Sequence, residues 1–149
     1  MELYRLLLFL HISGAAIWVG GHLVLSLAIL PGALRSRDVA IVREFERRYE
    51  RIGIPALATQ VITGLLLAYR WVPTIAILLP PASPQAWFIA VKLGLLAATI
   101  IVAAHARVRI IPILHDGNLN ALAYHAFAVT LLGLAFIVIG VAIRTGGLL

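Results

Sequence analysis

Two histidines lie within one long apolar segment near the start of the chain. The run Leu6–Leu30 is almost wholly apolar, yet it contains His11 and His22. Their spacing of eleven residues is close to three turns of an α-helix, so both imidazoles project from the same side, together with Trp18. A polar side chain at membrane depth is costly and usually faces a cofactor, a substrate path or a polar partner. Neutral imidazole is the commonest metal ligand in proteins and a standard axial ligand of haem iron.

The composition indicates a membrane protein. The chain has 149 residues, 62% of them hydrophobic, and a mean hydropathy of +1.04, well above the values of soluble domains. It contains no cysteine, which excludes disulfides, thiolate metal sites and covalent haem attachment. A net charge of +6 could indicate nucleic-acid binding. In a membrane protein, however, basic loops set the orientation and contact anionic lipid headgroups, so we expect the lipid bilayer and no nucleic acid as a partner.

Four hydrophobic segments are each near the length of about 20 residues at which a helix spans a bilayer. They cover about Tyr4–Leu30, Ile52–Val72, Trp87 to the residue before Pro112, and Ala121–Ile143. The alternative for the second segment is an extension through the apolar stretch before Pro80. The first is too long and too rich in histidine for a cleavable signal peptide, and no Ala-x-Ala-like site follows it. The sequence therefore predicts an all-α fold, an integral membrane four-helix antiparallel bundle, as a single domain over residues 1–149.

Basic residues are distributed unequally between the two ends of this bundle. Those in the loops after the first and third segments are Arg35, Arg37, Arg43, Arg47, Arg48, Arg51, Arg107 and Arg109. The opposite end has only Arg5, Arg70 and Arg144, with Lys92 just inside the third segment. Because loops rich in Lys and Arg stay in the cytoplasm, we expect a multi-pass protein of the cytoplasmic (inner) membrane with both termini outside. The stretch Arg43–Arg51 also contains three glutamates, which predicts an early start of the second helix with ion pairs along it.

This topology assigns each histidine a depth in the membrane. At about 1.5 Å of rise per residue, His22, His105 and His125 cluster in the cytoplasmic half, whereas His11 and Lys92 share the outer half. Low-spin, six-coordinate haem iron needs two axial donors from opposing helices. We predict His22 and His125 as the metal-ligating pair, with His105 as the alternative partner of either and His11 in a second haem or substrate site. The simpler alternative is that the histidines only hydrogen-bond neighbouring helices.

Further candidates for contact with a cofactor lie on the first two segments. Trp18 is in mid-helix on the histidine stripe, which favours a position against the cofactor. Gly14 and Gly21, on the same segment, are further candidates for contact with the cofactor. Close helix packing is the role expected of Gly20, Gly21, Gly64, Gly133 and Gly140, but it also leaves room for a flat macrocycle, and both alternatives stay open. Gln60 adds polarity to the middle of the second segment, where it either lines a cavity or bonds across helices.

Lys92 has two interpretations. Its long stem can carry the ammonium to the headgroups, or the ammonium can lie in a cavity and pair with an anionic group such as a tetrapyrrole propionate. Trp71 and Trp87 are expected at the outer interface, where tryptophan belts are common.

Several short motifs resemble two related groups of small membrane proteins. The stretch His11–Gly21 resembles the first-helix signature of both the CopD-type copper-resistance domain and HemJ, the membrane protoporphyrinogen oxidase. Glu46–Pro55 is similar to the HemJ entry into the second helix, whereas Thr63–Ala68 looks more like CopD. The segment Trp87–Leu93 and the later His105 resemble the third helix of both.

The resemblance implies a four-helix bundle that holds haem b. Through HemJ it implies that His11 and Lys92 form the catalytic pair, and that protoporphyrinogen is oxidised with electrons passed on to quinone. Through CopD it implies copper uptake or handling at the cytoplasmic membrane. The chain departs from both groups, because no histidine follows Pro31 at the end of the first segment and Met1 is its single methionine. Soft Cu(I) favours thiolate and thioether ligands, so this sequence favours haem over copper.

Three functions from different classes follow. The first is a membrane-embedded b-type haem protein with a redox role, either HemJ-like protoporphyrinogen oxidation or quinol-linked electron transfer; whether it is an oxidoreductase enzyme stays open. The alternative is CopD-like copper handling through imidazoles. The third is a structural accessory subunit whose histidines only join helices, and a homo-oligomer is compatible with each. The absorbance spectrum of the purified protein separates them, because haem gives a Soret band and a copper protein without haem does not.

The orientation can be tested with a single cysteine in this cysteine-free chain. With Asp38→Cys, a membrane-impermeant maleimide added to intact cells is expected to leave the protein unlabelled, because this position lies in the basic, cytoplasmic loop. Labelling from the periplasmic side would overturn the orientation.

Overall fold

The computed structural model describes residues 1–74, 80–81 and 83–147. Four helical segments in this part of the chain are long and apolar enough to cross a membrane: Glu2–Ser36, Val39–Tyr69, Pro84–Ile113 and Leu119–Thr145. The predicted all-α, four-helix membrane fold is confirmed. The first, third and fourth segments extend beyond their predicted bounds at both ends, whereas the second begins earlier than predicted, at Val39, and ends at Tyr69, before the predicted Val72. The alternative extension of the second segment toward Pro80 falls on residues outside the described ranges.

The first and third segments are not uniform α-helices. The first consists of α1 (Glu2–Val24), a π-helical stretch (Leu25–Ile29) and α2 (Leu30–Ser36). The second is a single helix, α3 (Val39–Tyr69). The third consists of α4 (Pro84–His105), a π-helical stretch (Ala106–Ile110) and a 3-10 turn (Ile111–Ile113), and the fourth is α5 (Leu119–Thr145).

Each π-helical stretch ends two residues before a proline. Pro31 follows the stretch Leu25–Ile29, and Pro112 follows the stretch Ala106–Ile110. Proline has no N–H for the regular helical hydrogen bond, and its ring clashes with the preceding turn. A π-helical turn absorbs this defect without ending the helix. Both segments thus remain long enough to span a membrane.

The helix α1 packs along both α3 and α5, and α4 packs along α5. Two buried hydroxyls join the first and fourth segments, since Ser26 Oγ and Thr130 Oγ1 are 2.8 Å apart. Thr130 Oγ1 also lies 3.2 Å from the main-chain oxygen of His22. In an apolar setting each such polar group needs an internal partner, so this contact fixes where α5 crosses the first segment.

The crossing of α1 and α3 is built around the ring of Tyr49. A Cβ added to Gly21 would lie 2.1 Å from the Tyr49 ring, and one added to Gly53 would lie 2.6 Å from it. The ring therefore fills a slot that exists only because both positions are glycine. The Tyr49 hydroxyl lies 3.1 Å from the main-chain oxygen of Ile17 and 2.9 Å from that of Trp18.

The other glycines of α1 differ in what they face. A Cβ on Gly14 would lie 2.8 Å from the main-chain oxygen of Ala56, so this position is a close helix contact. Among the described residues, nothing lies within 4 Å of the corresponding point on Gly20. The packing role expected of Gly20 is therefore wrong, because no described neighbour approaches that side of the residue.

One end of the bundle carries most of the arginines, and we call it the arginine-rich end. Its apolar cluster contains Leu30, Ala33, Val42, Leu114, Leu119, Leu122, Ala123 and Ala126. The predicted early start of the second helix is confirmed, because α3 begins at Val39, and Glu44 pairs with Arg47 and Arg48 as expected.

Polar contacts fasten the start of α3 to the turn between the third and fourth segments. Asp116 Oδ1 accepts a hydrogen bond of 3.0 Å from the Val39 N–H. Arg43 donates to the main-chain oxygen of Leu114 at 2.6 Å, and Glu50 forms an ion pair with Arg107. The Asp38 carboxylate caps the first turn of α3 by accepting from Ala40 N at 2.8 Å.

At the opposite end, three helix termini meet around Tyr4. The Arg70 guanidinium lies 5.4 Å from the centre of the Tyr4 ring, and Arg144 lies 3.3 Å from its hydroxyl. The start of α1 and the ends of α3 and α5 therefore share one end of the bundle, as an antiparallel arrangement requires. Trp71 and Trp87 are 56% and 50% exposed, consistent with positions at a membrane interface.

The neighbours Gly20 and Gly21 give a matched test of this packing. We expect Gly21→Ala to lower the free energy of unfolding by about 1–3 kcal/mol, because the new methyl overlaps the Tyr49 ring. Gly20→Ala should be neutral or gain up to about 1 kcal/mol from helix propensity. Thermal unfolding in detergent, followed by circular dichroism, measures both. Equal effects of the two changes would contradict the Tyr49 slot.

Candidate metal centre

Three of the four histidines in the helices, His11, His22 and His125, share one hydrogen-bonding arrangement. Nδ1 of His11 lies 3.0 Å from the main-chain oxygen of Gln60, and Nδ1 of His22 lies 2.9 Å from that of Trp18. Nδ1 of His125 lies 2.7 Å from the main-chain oxygen of Ala121. A carbonyl oxygen can only accept, so the proton of each neutral ring is on Nδ1 and the Nε2 lone pair is available. Histidines that ligate metals are typically held in this way.

His105 and His125 contact each other directly. Nδ1 of His105 lies 2.8 Å from Nε2 of His125, and the two rings are stacked with centroids 4.9 Å apart and planes 9° from parallel. Because the proton of His125 is on Nδ1, its Nε2 must accept, and His105 Nδ1 donates. This tautomer leaves the Nε2 lone pair of His105 available as well. His105 is exposed, whereas His125 is half-buried.

The short connection between the third and fourth segments positions this pair. His105 is the last residue of α4, at the point where the π-helical stretch begins. Asn118 then closes the turn before α5: its Oδ1 accepts from the His115 N–H at 2.8 Å, and its Nδ2 donates to the main-chain oxygen of Ile113 at 2.9 Å. The chain thereby reverses within a few residues, and His125 comes to lie opposite His105.

His22 lies in a different, aromatic environment. Its ring centroid is 4.5 Å from that of Trp18, with the planes tilted by 47°, and 6.1 Å from that of Tyr49 in an edge-on arrangement. Trp18 itself is buried and packs with Val19 and Val129. Tyr49 was not singled out from the sequence, although it lies within the motif Glu46–Pro55 and one helical turn before Gly53.

The geometry distinguishes between the metal-ligating pairs predicted from the sequence. It brings together His105 and His125, the alternative partners, whereas His22 lies beside Trp18 and Tyr49. No group of three or more His, Cys, Asp or Glu side chains suited to a metal ion occurs in the described ranges. A metal held here would therefore have two protein ligands from the described residues.

Haem does not fit between the paired rings as they stand. Axial imidazoles must approach opposite faces of the macrocycle, whereas the facing nitrogens of His105 and His125 are 2.8 Å apart. Space for a macrocycle was also expected at Gly14 and Gly21. The main chain of Ala56 fills the first position and the Tyr49 ring fills the second, so close packing is the role that the structure gives to both glycines.

A second polar cluster lies in the half of the bundle away from the arginines. The His11 ring rests on Gly64, whose added Cβ would lie 2.9 Å from its Cε1 atom, and its Nδ1 is also 3.1 Å from Thr63 Oγ1. Gln60 Oε1 is buried and has no hydrogen-bond partner among the residues described. The Lys92 ammonium lies 3.3 Å from the point where a Gly140 Cβ would be.

The catalytic role of His11 and Lys92, and the contact of Gln60 or Trp18 with a cofactor, stay predictions.

Together, the four apolar segments and the imidazole pair define an integral membrane protein with a candidate metal-binding site at the junction of α4 and α5. A family model, that of CopD, copper resistance protein D, matches residues 43–144. The chain therefore belongs to the CopD family of membrane proteins. The matched range contains His105, His125 and Lys92, whereas His11 and His22 precede it. The comparisons with curated proteins and with solved structures gave no match.

The unpaired oxygen of Gln60 predicts a stabilising substitution. A buried acceptor without a donor costs about 1–3 kcal/mol, so Gln60→Met should raise the free energy of unfolding by about 1 kcal/mol. Thr63→Val is the matched control one turn away, and it should lower stability by a similar amount because it removes an acceptor of the His11 Nδ1–H. Thermal unfolding in detergent measures both changes. A loss of stability in Gln60→Met would show that Oε1 has a partner.

Proposed function

We propose that this protein binds and handles copper in the membrane and that His105 and His125 are its binding pair. The observation that carries the proposal is the 2.8 Å contact between Nδ1 of His105 and Nε2 of His125, two groups from different helices that converge on one point. Membership of the CopD family supports copper as the metal, because the family is described by copper resistance.

Binding requires only a local rearrangement of protons and rings. If the His105 proton moves from Nδ1 to Nε2, two lone pairs face each other and no net charge is lost from the protein. A bond from a metal to imidazole nitrogen is about 2 Å long, so the facing nitrogens must move apart from 2.8 Å to make room. The hydrogen bond to be replaced is the only polar contact between the two rings that the structure describes, so the rings can separate. The Nδ1–H of His125 stays on Ala121 and keeps its Nε2 directed at the metal.

The ligand chemistry suits copper in transit. Imidazole is a good ligand for copper, and among divalent first-row metals copper binds most tightly to nitrogen sites. The chain has no cysteine, and its single methionine is Met1, so soft sulfur ligands that retain Cu(I) are missing from the bundle. Two neutral nitrogens hold the ion less firmly than thiolates do, and a carrier must release its cargo.

The position of the pair suggests which side of the membrane it serves. Both histidines lie toward the arginine-rich end, because His105 comes just before Arg107 and Arg109 in the sequence and contacts His125. Under the rule that basic loops stay in the cytoplasm, this end faces the cytoplasm of a cell whose inner membrane holds the protein. The pair then exchanges copper with the cytoplasmic side.

Competition with a chromophoric Cu(I) chelator tests the proposal on the purified protein in detergent. We expect His105→Ala and His125→Ala each to weaken binding at this site at least tenfold, because either change leaves a single ligand. His115→Ala is the matched control: this exposed histidine of the same turn has its Nδ1 2.9 Å from the Ile113 oxygen, and its loss should leave binding unchanged.

Two results would contradict copper handling by this pair. One is copper affinity in the two alanine variants equal to that of the unmodified protein. The other is a Soret band in the absorbance spectrum that disappears in the same two variants, which would assign the pair to haem and restore the redox function favoured by the sequence.

A further inference from the structure

We propose that His22 and the ring of Trp18 form a second binding station for monovalent copper, and that Tyr49 is the residue that positions it. This inference rests on the proposed function, because it extends the same cargo to a second site. The juxtaposition of these three side chains at the crossing of α1 and α3 carries it.

The imidazole of His22 is prepared for a metal. Its Nδ1–H is held by the main-chain oxygen of Trp18 at 2.9 Å, so the Nε2 lone pair is available. Nε2 makes no hydrogen bond with any residue that the structure describes. A half-buried nitrogen acceptor in an apolar bundle is costly unless something donates to it or coordinates it.

The aromatic surroundings favour a cation of low charge. The His22 and Trp18 rings have centroids 4.5 Å apart, and an indole face attracts cations over about 6 Å. A cation held on Nε2 can therefore contact the Trp18 ring as well. The donors of this station are neutral, and the cost of burying charge rises steeply with its magnitude, so a monovalent ion such as Cu(I) is favoured over a divalent one.

Tyr49 shares its acceptor with His22. The Tyr49 hydroxyl and the His22 Nδ1–H both reach the main-chain oxygen of Trp18 at 2.9 Å. The ring of Tyr49 stands edge-on to the imidazole and is locked between Gly21 and Gly53. Movement of the imidazole is limited on two sides, and the Trp18 carbonyl is fixed in position. Outer partners of this kind typically change metal affinity by about 10–100-fold when removed.

The station lies next to the proposed pair along α5. The main-chain oxygen of His22 contacts Thr130, and His125 precedes Thr130 by five residues on the same helix, a rise of about 7.5 Å. An ion released by the pair toward the opposite end of the bundle therefore finds His22 within a short distance.

Tryptophan fluorescence gives a direct readout of this station. In a Trp71→Phe, Trp87→Phe variant, Trp18 is the sole tryptophan, and the two replaced residues are exposed at the other end of the bundle. We expect Ag(I), a redox-inert probe for Cu(I), to quench this fluorescence saturably. In this background, His22→Gln should abolish the quenching. Tyr49→Phe should raise the Kd for Ag(I) about tenfold, while its ring keeps the slot between Gly21 and Gly53 filled. His115→Ala should change neither the quenching nor the Kd.

Adding His125→Ala to the same background tests whether the His22–Trp18 station and the His105–His125 pair are separate binding sites. Quenching that persists while one equivalent of bound Ag(I) is lost supports two separate sites. Quenching that survives in His22→Gln overturns the station, and an unchanged Kd in Tyr49→Phe overturns the positioning role. Failure of the proposed pair would appear differently, as an unchanged number of bound ions in His105→Ala and His125→Ala.

Discussion

Hydrogen bonds from imidazole Nδ1 to main-chain carbonyls govern the chemistry of this bundle. Within an apolar bilayer each polar group needs a partner inside the protein, and a ring N–H is satisfied most cheaply by a nearby carbonyl. In His22 and His125 that carbonyl lies four residues earlier on the same helix, and in His11 it lies on a neighbouring helix. This hydrogen bond offsets the cost of burying the ring N–H. It also keeps the proton on Nδ1, so Nε2 retains the lone pair that binds metals.

The helix packing is arranged around these groups. Glycines at Gly21 and Gly53 admit the Tyr49 ring, which anchors α3 to two carbonyls of α1. The buried Ser26–Thr130 contact anchors α5 to the first segment at the π-helical stretch. Because proline would otherwise break the helix, the π-helical stretches before Pro31 and Pro112 let each segment continue past a defect. Both π-helical stretches begin close to histidines, since one starts three residues after His22 and the other directly follows His105.

Family membership and geometry bear on function in different ways. The match over residues 43–144 assigns the chain to the CopD family and favours copper over haem. The geometry identifies the side chains: His105 donates a hydrogen bond to His125 from a different helix, and His22 lies against Trp18. One reason to favour haem over copper was that the chain has no cysteine and a single methionine to bind Cu(I). Converging imidazoles weaken that argument, because nitrogen ligands suffice for an ion that must be released.

The sequence by itself determined the four spans, the all-α class, the early start of α3 with its Glu44 ion pairs, and the histidine positions as candidates for chemistry. These follow from hydropathy and helical periodicity, which are local properties. Only the tertiary structure decided that His125 meets His105, that Tyr49 fills the slot at Gly21, and that Gly20 faces open space. Depth along a helix can be read from residue numbers, but the rotation of one helix against another depends on side-chain packing between distant segments. The partner of each imidazole therefore could not be predicted from sequence.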